Sequence, residues 1–245
     1  LLFIPEEGHR WVCFDYSQQD PRLVVHYAAL YKLPSVYDVV DSYQNDAGAD
    51  FHQTVADMAE IPRTQAKTIN LGLFYGMGKA KLQAELGVSK DKAAELFNTY
   101  HAKVPFVKQL MDKASNRAQD RGQIRNLLGS LCRFHLWDPN SFGMHKAMTH
   151  EDALAEHGPG IKRAYTYKSL NKLIQGSAAD MTKKSMLELY KEGIVAHIQV
   201  HDELDISVED DKKAEQIKQI MESAVELEIP NKVDYESGKN WGAIK

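Results

Sequence analysis

The stretch Ile194–Val208 carries the strongest strand signal in the sequence. Two runs rich in β-branched residues lie on either side of His201-Asp202-Glu203. A short polar break between two such runs is typical of a tight β-hairpin. We therefore predict two antiparallel strands that present acidic side chains at the tip of their turn.

A further strand is predicted near the start of the sequence. Arg10–Tyr16 is rich in aromatic and β-type residues, and Asp15 lies at its end. If this strand and the hairpin join one sheet, Asp15 and Asp202 converge although they are far apart in the sequence.

Helical patterns fill most of the remaining sequence. Pro62 fits the first turn of a new helix, and Ser89 has the residue type of an N-cap. The predicted helices are 22–31, 51–77 with its break at Pro62, 90–101, 105–118, 162–192 and 210–227, while 122–134 has β character and 137–160 is predicted to be an irregular insertion. Strands near both ends and a helical middle indicate the α+β class.

The composition is that of a globular protein. With 245 residues and 43% hydrophobic content, the sequence can form one large domain or two small ones. It has no apolar run of roughly 18 residues and no signal peptide, so we expect no membrane partner and a cytoplasmic setting. Cys13 and Cys132 have no zinc-like spacing and are interpreted as reduced thiols.

The net charge of −4 conceals an asymmetry along the sequence. Residues 61–135 hold 13 Lys and Arg against 5 Asp and Glu, so the remainder sums to −12. The basic middle is suited to a phosphate backbone and the acidic flanks to metal ions. The alternative interpretation of the basic segment is a set of solvated helix faces.

Asp15 and Asp202 are the candidate metal ligands. Two carboxylates at strand ends can bind two divalent ions and stabilise both oxygens of a phosphoryl displacement, with Glu203 assisting. Oxygen ligands favour Mg²⁺, with Mn²⁺ as a substitute. The alternative is that each aspartate is an ordinary turn residue or helix cap.

Arg63 begins a stripe that continues with Lys67, Asn70, Leu71 and Tyr75 along one helix face. Its cations suit a triphosphate, and its aromatic end suits stacking near a base. An ordinary amphipathic helix explains the spacing equally well.

Asn171 and Gln175 lie one turn apart on the predicted long helix, followed by the small residues of GSAAD. Their amides can donate to base edges or sugars where small neighbours permit close approach of a duplex. The alternative is a solvated helix face.

Three motifs, in the order A, B and C, resemble those of family A DNA polymerases. They are DYSQQDPR at 15–22, RTQAKTINLGLFYG at 63–76 and VHDE at 200–203. DFHQTVA, NKLIQGSAAD and SGKNWGAIK add to the similarity, which covers nearly the whole chain and has a phage-type character in RAYTYKSLNKLIQGSAAD. The resemblance implies template-directed DNA synthesis on primer-template DNA with deoxynucleoside triphosphates, in a bacterial or phage-infected cell.

The resemblance also implies a division into subdomains. It places a palm with an antiparallel sheet in 1–50 and 136–245, and mostly helical fingers in 51–135. In the family a thumb and an exonuclease domain precede the palm, and neither lies within this sequence. We therefore expect either a separate chain that supplies them or a longer protein of which this is an excerpt.

Each motif implies roles for particular residues. The metal ligands are Asp15, Asp202, Glu203 and the Tyr16 carbonyl; the nucleotide-binding residues are Arg63, Lys67 (also a general acid), Leu71, Tyr75, His52, Gln18 and Asp20; and the nucleic-acid-binding residues are Asn171, Gln175, His201 and Arg133.

The sequence departs from the family pattern in three places. Asp20 replaces the usual Glu that helps to exclude a ribose 2′-OH, and Leu71 replaces an aromatic residue beneath the incoming sugar. Ser130-Leu131 follow Gly129 where related chains often have arginines. We expect altered sugar selectivity and a missing phosphate contact.

Two rival functions stay open at this point. One is a family A RNA polymerase, against which the DYSQ of motif A argues. The other is a catalytically silent polymerase fragment or subunit that binds nucleic acid and needs a partner chain. Two neighbouring carboxylates without a metal repel one another, which argues against the silent subunit.

Overall fold

The computed structural model describes residues 3–74, 76–141, 143 and 145–244. The chain forms two compact units. The first unit consists of the described residues of 1–31, 37–51 and 177–245, and the second unit consists of those of 32–36 and 52–176. The assignment of palm and fingers to these units stays a prediction.

The described residues form ten α-helices and eight strands. The helices are α1 (Gln19–Leu30), α2 (Tyr37–Asn45), α3 (Phe51–Ala59), α4 (Arg63–Phe74), α5 (Lys79–Leu86), α6 (Lys90–Lys103), α7 (Pro105–Arg121), α8 (His150–His157), α9 (Ser169–Lys191) and α10 (Asp211–Ser223). The strands are β1 (Arg10–Tyr16), β2 (Gln123–Arg125), β3 (Leu131–Arg133), β4 (Trp137–Pro139), β5 (Ile161–Arg163), β6 (Ile198–Val200), β7 (Glu203–Val208) and β8 (Val233–Gly238). None of the described helices is long and apolar enough to span a lipid bilayer.

In the first unit, the described residues form an antiparallel sheet with strand order β6-β7-β1-β8. The predicted hairpin is β6 and β7, and the predicted first strand, β1, pairs with β7. The expectation that both strands join one sheet is therefore confirmed. β8, which the sequence analysis did not identify, pairs with β1 from the other side.

The two faces of this sheet differ because successive side chains of a strand alternate. One face carries the buried side chains of Phe14, Leu204 and Ile206. Tyr16 also lies on that face, and its hydroxyl donates to the Met221 carbonyl of α10 at 2.6 Å and bonds the Ser185 hydroxyl of α9. The opposite face carries acidic side chains.

Arg22, the last residue of motif A, is buried in the first unit with 1% of its surface exposed. Its guanidinium donates to the carbonyl oxygens of Ser17, Ala47 and Pro230 at 2.6–2.7 Å. It also lies 4.5 Å from the ring centre of Tyr43. One cation thus holds together the turn after β1, the loop before α3 and the segment that leads to β8.

The second unit is helical, with two small hairpins, β2–β3 and β4–β5. Ser89 caps α6 by accepting from the Lys92 N–H at 3.2 Å, as predicted. α7 begins at Pro105 and ends at Arg121, and its C-cap, Gly122, has a φ of 66°, in the left-handed region that favours glycine.

The segment expected to be irregular contains regular structure. β4 and β5 pair, and α8 lies between them with Thr149 as its N-cap. Arg163 of β5 contacts the residues before and within β4. Its guanidinium lies 4.6 Å from the ring centre of Trp137 and donates to the Phe134 carbonyl. Because β5 occupies residues predicted to be helical, the long helix begins at Ser169 rather than Lys162.

We predict that Arg22→Met lowers the free energy of unfolding by about 3 to 5 kcal/mol, because three carbonyls lose their charged hydrogen bonds to the buried guanidinium. Chemical denaturation followed by circular dichroism measures the change. Arg125→Met is the control, since Arg125 is exposed and donates to one carbonyl, that of Gly129. Equal losses in the two variants would contradict the structural role of Arg22.

A second prediction concerns the pH dependence of stability. His26 is 6% exposed, and its Nδ1 accepts from the Glu228 N–H at 3.1 Å, which requires a neutral ring. Burial lowers the pKa of His26 from 6.5 to about 4. As the pH falls below 6.5 the unfolded chain therefore binds the proton first, and stability is lost between pH 6.5 and 4.

The loss attributable to His26 at pH 5, relative to pH 7, is about 2 kcal/mol. Denaturation at both pH values measures it, and His26→Asn, which keeps an acceptor, is expected to remove it. The exposed His135 provides the control, because His135→Asn should retain the full dependence. An unchanged pH dependence in His26→Asn would refute the assignment.

Candidate active site

A row of carboxylates crosses one face of the first unit's sheet, where β1 ends. Asp15, exposed near the end of β1, lies directly opposite Glu203 of β7 and Asp234 of β8 in the strand register. Three acidic residues on adjacent strands therefore share one face, which is a strongly negative arrangement in the absence of a cation.

Asp202 lies in the hairpin turn at the same end of the sheet. We call this end, with Asp15, Asp202, Glu203 and Asp234, the acidic edge. His201 precedes it with a φ of 55°, a left-handed conformation that non-glycine residues rarely adopt. The Gln199 side chain donates to the His201 carbonyl at 2.6 Å, and the Tyr16 N–H donates to the Asp202 carbonyl at 3.4 Å. The turn is thereby attached to the end of β1, next to Asp15.

The electrostatics of this edge favour a bound cation. Burial raises the pKa of Asp202, and the neighbouring carboxylates of Asp20 and Glu203 raise it further. A positive charge at the same place would relieve this mutual repulsion. The donor set of Asp15, Asp202 and Glu203 consists of oxygen atoms, which fits Mg²⁺.

A second acidic group lies farther along the same face. Among the described residues, Cys13, Glu203 and Asp205 have candidate ligand atoms that all lie within 4.8 Å of one another. Cys13 and Asp205 are buried, and a thiol is a poor ligand for Mg²⁺. The exposed edge at Asp15 therefore fits that ion better than this group does.

Gln18 lies in the turn between β1 and α1 with both ends of its amide engaged. Its Nε2 donates to the Ala49 carbonyl at 3.0 Å, and its Oε1 accepts from the Phe51 N–H and the Tyr43 hydroxyl. The side chain thus holds the start of α3 in the first unit. Its predicted contact with the nucleotide stays a prediction.

In the second unit, α4 presents the cations of motif B to solvent. Arg63 and Lys67 are exposed one turn apart, and Leu71 follows half-buried. Tyr75 lies outside the described residues. Asn70, predicted on the same stripe, is instead fully buried, so the exposed stripe is narrower than the sequence suggested.

His52, on α3, is 7% exposed, and its Nδ1 lies 3.0 Å from Nδ2 of Asn70. Arg133, on β3, is exposed. The structure therefore places His52 and motif B in the same unit, while the carboxylates lie in the first unit.

Asn171 and Gln175 lie one turn apart on α9, half-buried and exposed respectively. The next residue, Gly176, allows close approach of the β2–β3 hairpin. The Asn126 side chain donates to the Gly176 carbonyl at 3.1 Å, and a Cβ on Gly176 would lie 3.1 Å from the same Asn126 nitrogen. The absence of a side chain at Gly176 thus permits this contact.

Sequence reasoning missed two residues, one in each unit. Asp234 belongs to a strand that was not identified, although the alternating pattern of VDYES was a usable signal. Asn126 gave no signal, because its contact with Gly176 depends on a helix 50 residues away.

Comparisons with known proteins agree with these observations. The model of the family described as DNA polymerase family A matches residues 1–243. A DNA-directed DNA polymerase of Pseudomonas phage M6 is 36% identical over 98% of this chain, and DNA polymerase I of Caldicellulosiruptor bescii is 32% identical over 100%. The chain spans 39% and 28% of the lengths of these two relatives.

A solved structure shows the same fold. The POL domain of Pol1 from M. smegmatis, in a complex with DNA primer-template and dNTP, superposes with a TM-score of 0.76 at 23% sequence identity. The match covers 98% of this chain and 41% of that one, and it confirms the predicted α+β class. Because the family model extends over nearly every residue, the chain belongs to DNA polymerase family A.

Proposed function

We propose that this chain carries the catalytic region for template-directed DNA synthesis, the transfer of deoxynucleotides to a primer 3′ end. The observation that carries the proposal is the placement of three acidic residues at one end of the sheet: Asp15 lies opposite Glu203, and the Tyr16 N–H bonds the Asp202 carbonyl. The membership of the chain in DNA polymerase family A also supports the proposal. The similarity to the polymerase of Pseudomonas phage M6 favours a role in phage DNA replication.

Asp15, Asp202, Glu203 and the Tyr16 carbonyl would hold two Mg²⁺ ions, or Mn²⁺ in their place. When bound, such ions supply positive charge that stabilises the attacking and leaving oxygens of a phosphoryl transfer. The protein's part is to fix the carboxylates on adjacent strands, where little reorganisation is needed during the reaction.

Arg63, Lys67 and His52 would bind the triphosphate of the incoming nucleotide. Both cations are exposed on α4 and therefore accessible to a substrate. Lys67 would also act as the general acid that protonates the departing pyrophosphate. Leu71 and Tyr75 would contact the sugar and the templating position.

Asn171, Gln175, His201 and Arg133 would contact the primer-template DNA. A cation such as Arg133 suits phosphate contacts, and the amides suit base edges or sugars. A thumb or an exonuclease domain would come from another part of the protein or from a separate chain.

We predict that Asp202→Asn abolishes primer extension, because the amide removes one negative ligand while it keeps the shape of the side chain. Gel electrophoresis of a labelled primer on a defined template with Mg²⁺ measures extension. Asp41→Asn is the matched control, since Asp41 is exposed on α2, outside the acidic edge. It should extend the primer like the unmodified chain.

The outcomes separate the candidate functions. The proposal is supported if the unmodified chain extends the primer according to the template and Asp202→Asn does not. Extension that survives in Asp202→Asn contradicts the assigned ligand. Duplex binding without extension in any variant would favour a silent fragment that needs a partner chain.

Asp20 generates a second prediction for the same reaction. Its charge contributes to the raised pKa of Asp202, so it lies at the acidic edge. We expect Asp20→Glu to increase the preference for deoxyribonucleotides over ribonucleotides, because the longer side chain narrows the space for a 2′-OH. Single-nucleotide incorporation with each substrate measures the ratio, and an unchanged ratio would remove Asp20 from sugar selection.

A further inference from the structure

Asn70 lies at the centre of a buried hydrogen-bonded row in the second unit. It is flanked by Tyr100 of α6 and His52 of α3, and the exposed fractions of these side chains are 0% for Asn70 and Tyr100 and 7% for His52. The Tyr100 hydroxyl bonds Oδ1 of Asn70, and Nδ2 of Asn70 lies 3.0 Å from Nδ1 of His52. The row thus connects three helices.

The Tyr100 hydroxyl determines which group donates and which accepts in each hydrogen bond of this row. A fully buried hydroxyl has one proton to donate, and the acceptor that it contacts here is Oδ1 of Asn70. Burial raises the pKa of Tyr100 well above its ordinary value, so the proton is retained. The amide therefore turns its donor, Nδ2, toward His52, and the facing Nδ1 must be the accepting nitrogen.

We propose that Asn70 and Tyr100 are positioning residues that hold His52 as the neutral tautomer with its proton on Nε2. The inference rests on the proposed function, in which His52 contacts the triphosphate. In this tautomer Nε2–H is a donor of defined direction, whereas the other tautomer would present a lone pair to the phosphate oxygens.

The row acts without touching the nucleotide. A hydrogen bond to one imidazole nitrogen decides which nitrogen carries the proton and also restrains the rotation of the ring. Because Tyr100 fixes the amide of Asn70, and Asn70 fixes the ring, the orientation of His52 depends on a hydroxyl two residues removed along the row. Removal of the Tyr100 hydroxyl therefore tests whether a change at one end of the row alters His52 at the other end.

Nuclear magnetic resonance of the chain with ¹⁵N-labelled histidine reads the tautomer directly, with His52→Gln used to assign the His52 signals. We expect Nε2–H in the unmodified chain and a mixture of tautomers in Tyr100→Phe, because the released amide can flip. Asn70→Asp should move the proton to Nδ1, because a carboxylate at this place can only accept. Tyr27→Phe is the control, since its buried hydroxyl bonds Ser177 in the first unit.

A double-mutant cycle tests the effect on binding, with the affinity for a deoxynucleoside triphosphate measured by calorimetry in the presence of primer-template. Tyr100→Phe should weaken this affinity about 3- to 10-fold, the value of one net hydrogen bond. In the His52→Gln background it should have no further effect, because its action passes through His52. A residue that only stabilises the fold would act equally in both backgrounds. Asn70→Asp replaces Tyr100→Phe in the cycle if that variant does not fold.

Each remaining outcome is decisive. A proton on Nδ1 of His52 in the unmodified chain, or a Tyr100→Phe effect that persists without His52, overturns the proposal. Triphosphate binding that is insensitive to Tyr100→Phe overturns the positioning role and leaves the proposed function intact. The Nε2–H tautomer without any triphosphate binding overturns both.

Discussion

The arrangement of the acidic edge depends on one buried cation. Arg22 donates to three carbonyls, which belong to the turn after β1, the loop before α3 and the segment before β8. Burial lowers its pKa, but a guanidinium retains its proton in proteins, and the charges of Asp234 and Glu222 favour the charged form. The last residue of motif A is thus part of the scaffold, while Asp15 at the start of the same motif is exposed.

Features that depend on local chemistry were accessible from the sequence. The hairpin around Asp202 follows from two β-branched runs and a polar break, and the cap at Ser89 follows from its residue type. The convergence of Asp15 with that hairpin required one further assumption, that the two strands share a sheet. The resemblance to a family supplied the reason for this assumption, and the register of β1 with β7 confirms it.

Features that depend on distant partners were not accessible. Asn70 has the spacing of an exposed stripe, yet it is buried because Tyr100 and His52 provide partners for its amide. β5 replaces the predicted beginning of a helix because it pairs with β4, more than twenty residues earlier. In both cases tertiary contacts override the structure that the local sequence pattern favours.

The position of β1 in the sheet has a consequence for biosynthesis. Its two neighbours, β7 and β8, lie far later in the sequence, so all of the intervening residues must leave the ribosome before β1 can pair. Such long-range pairing is slow, and an early strand without partners exposes its edge and its apolar face. A nascent chain therefore exposes an aromatic strand until the intervening residues have been synthesised, and chaperones can bind this state or aggregation can start from it.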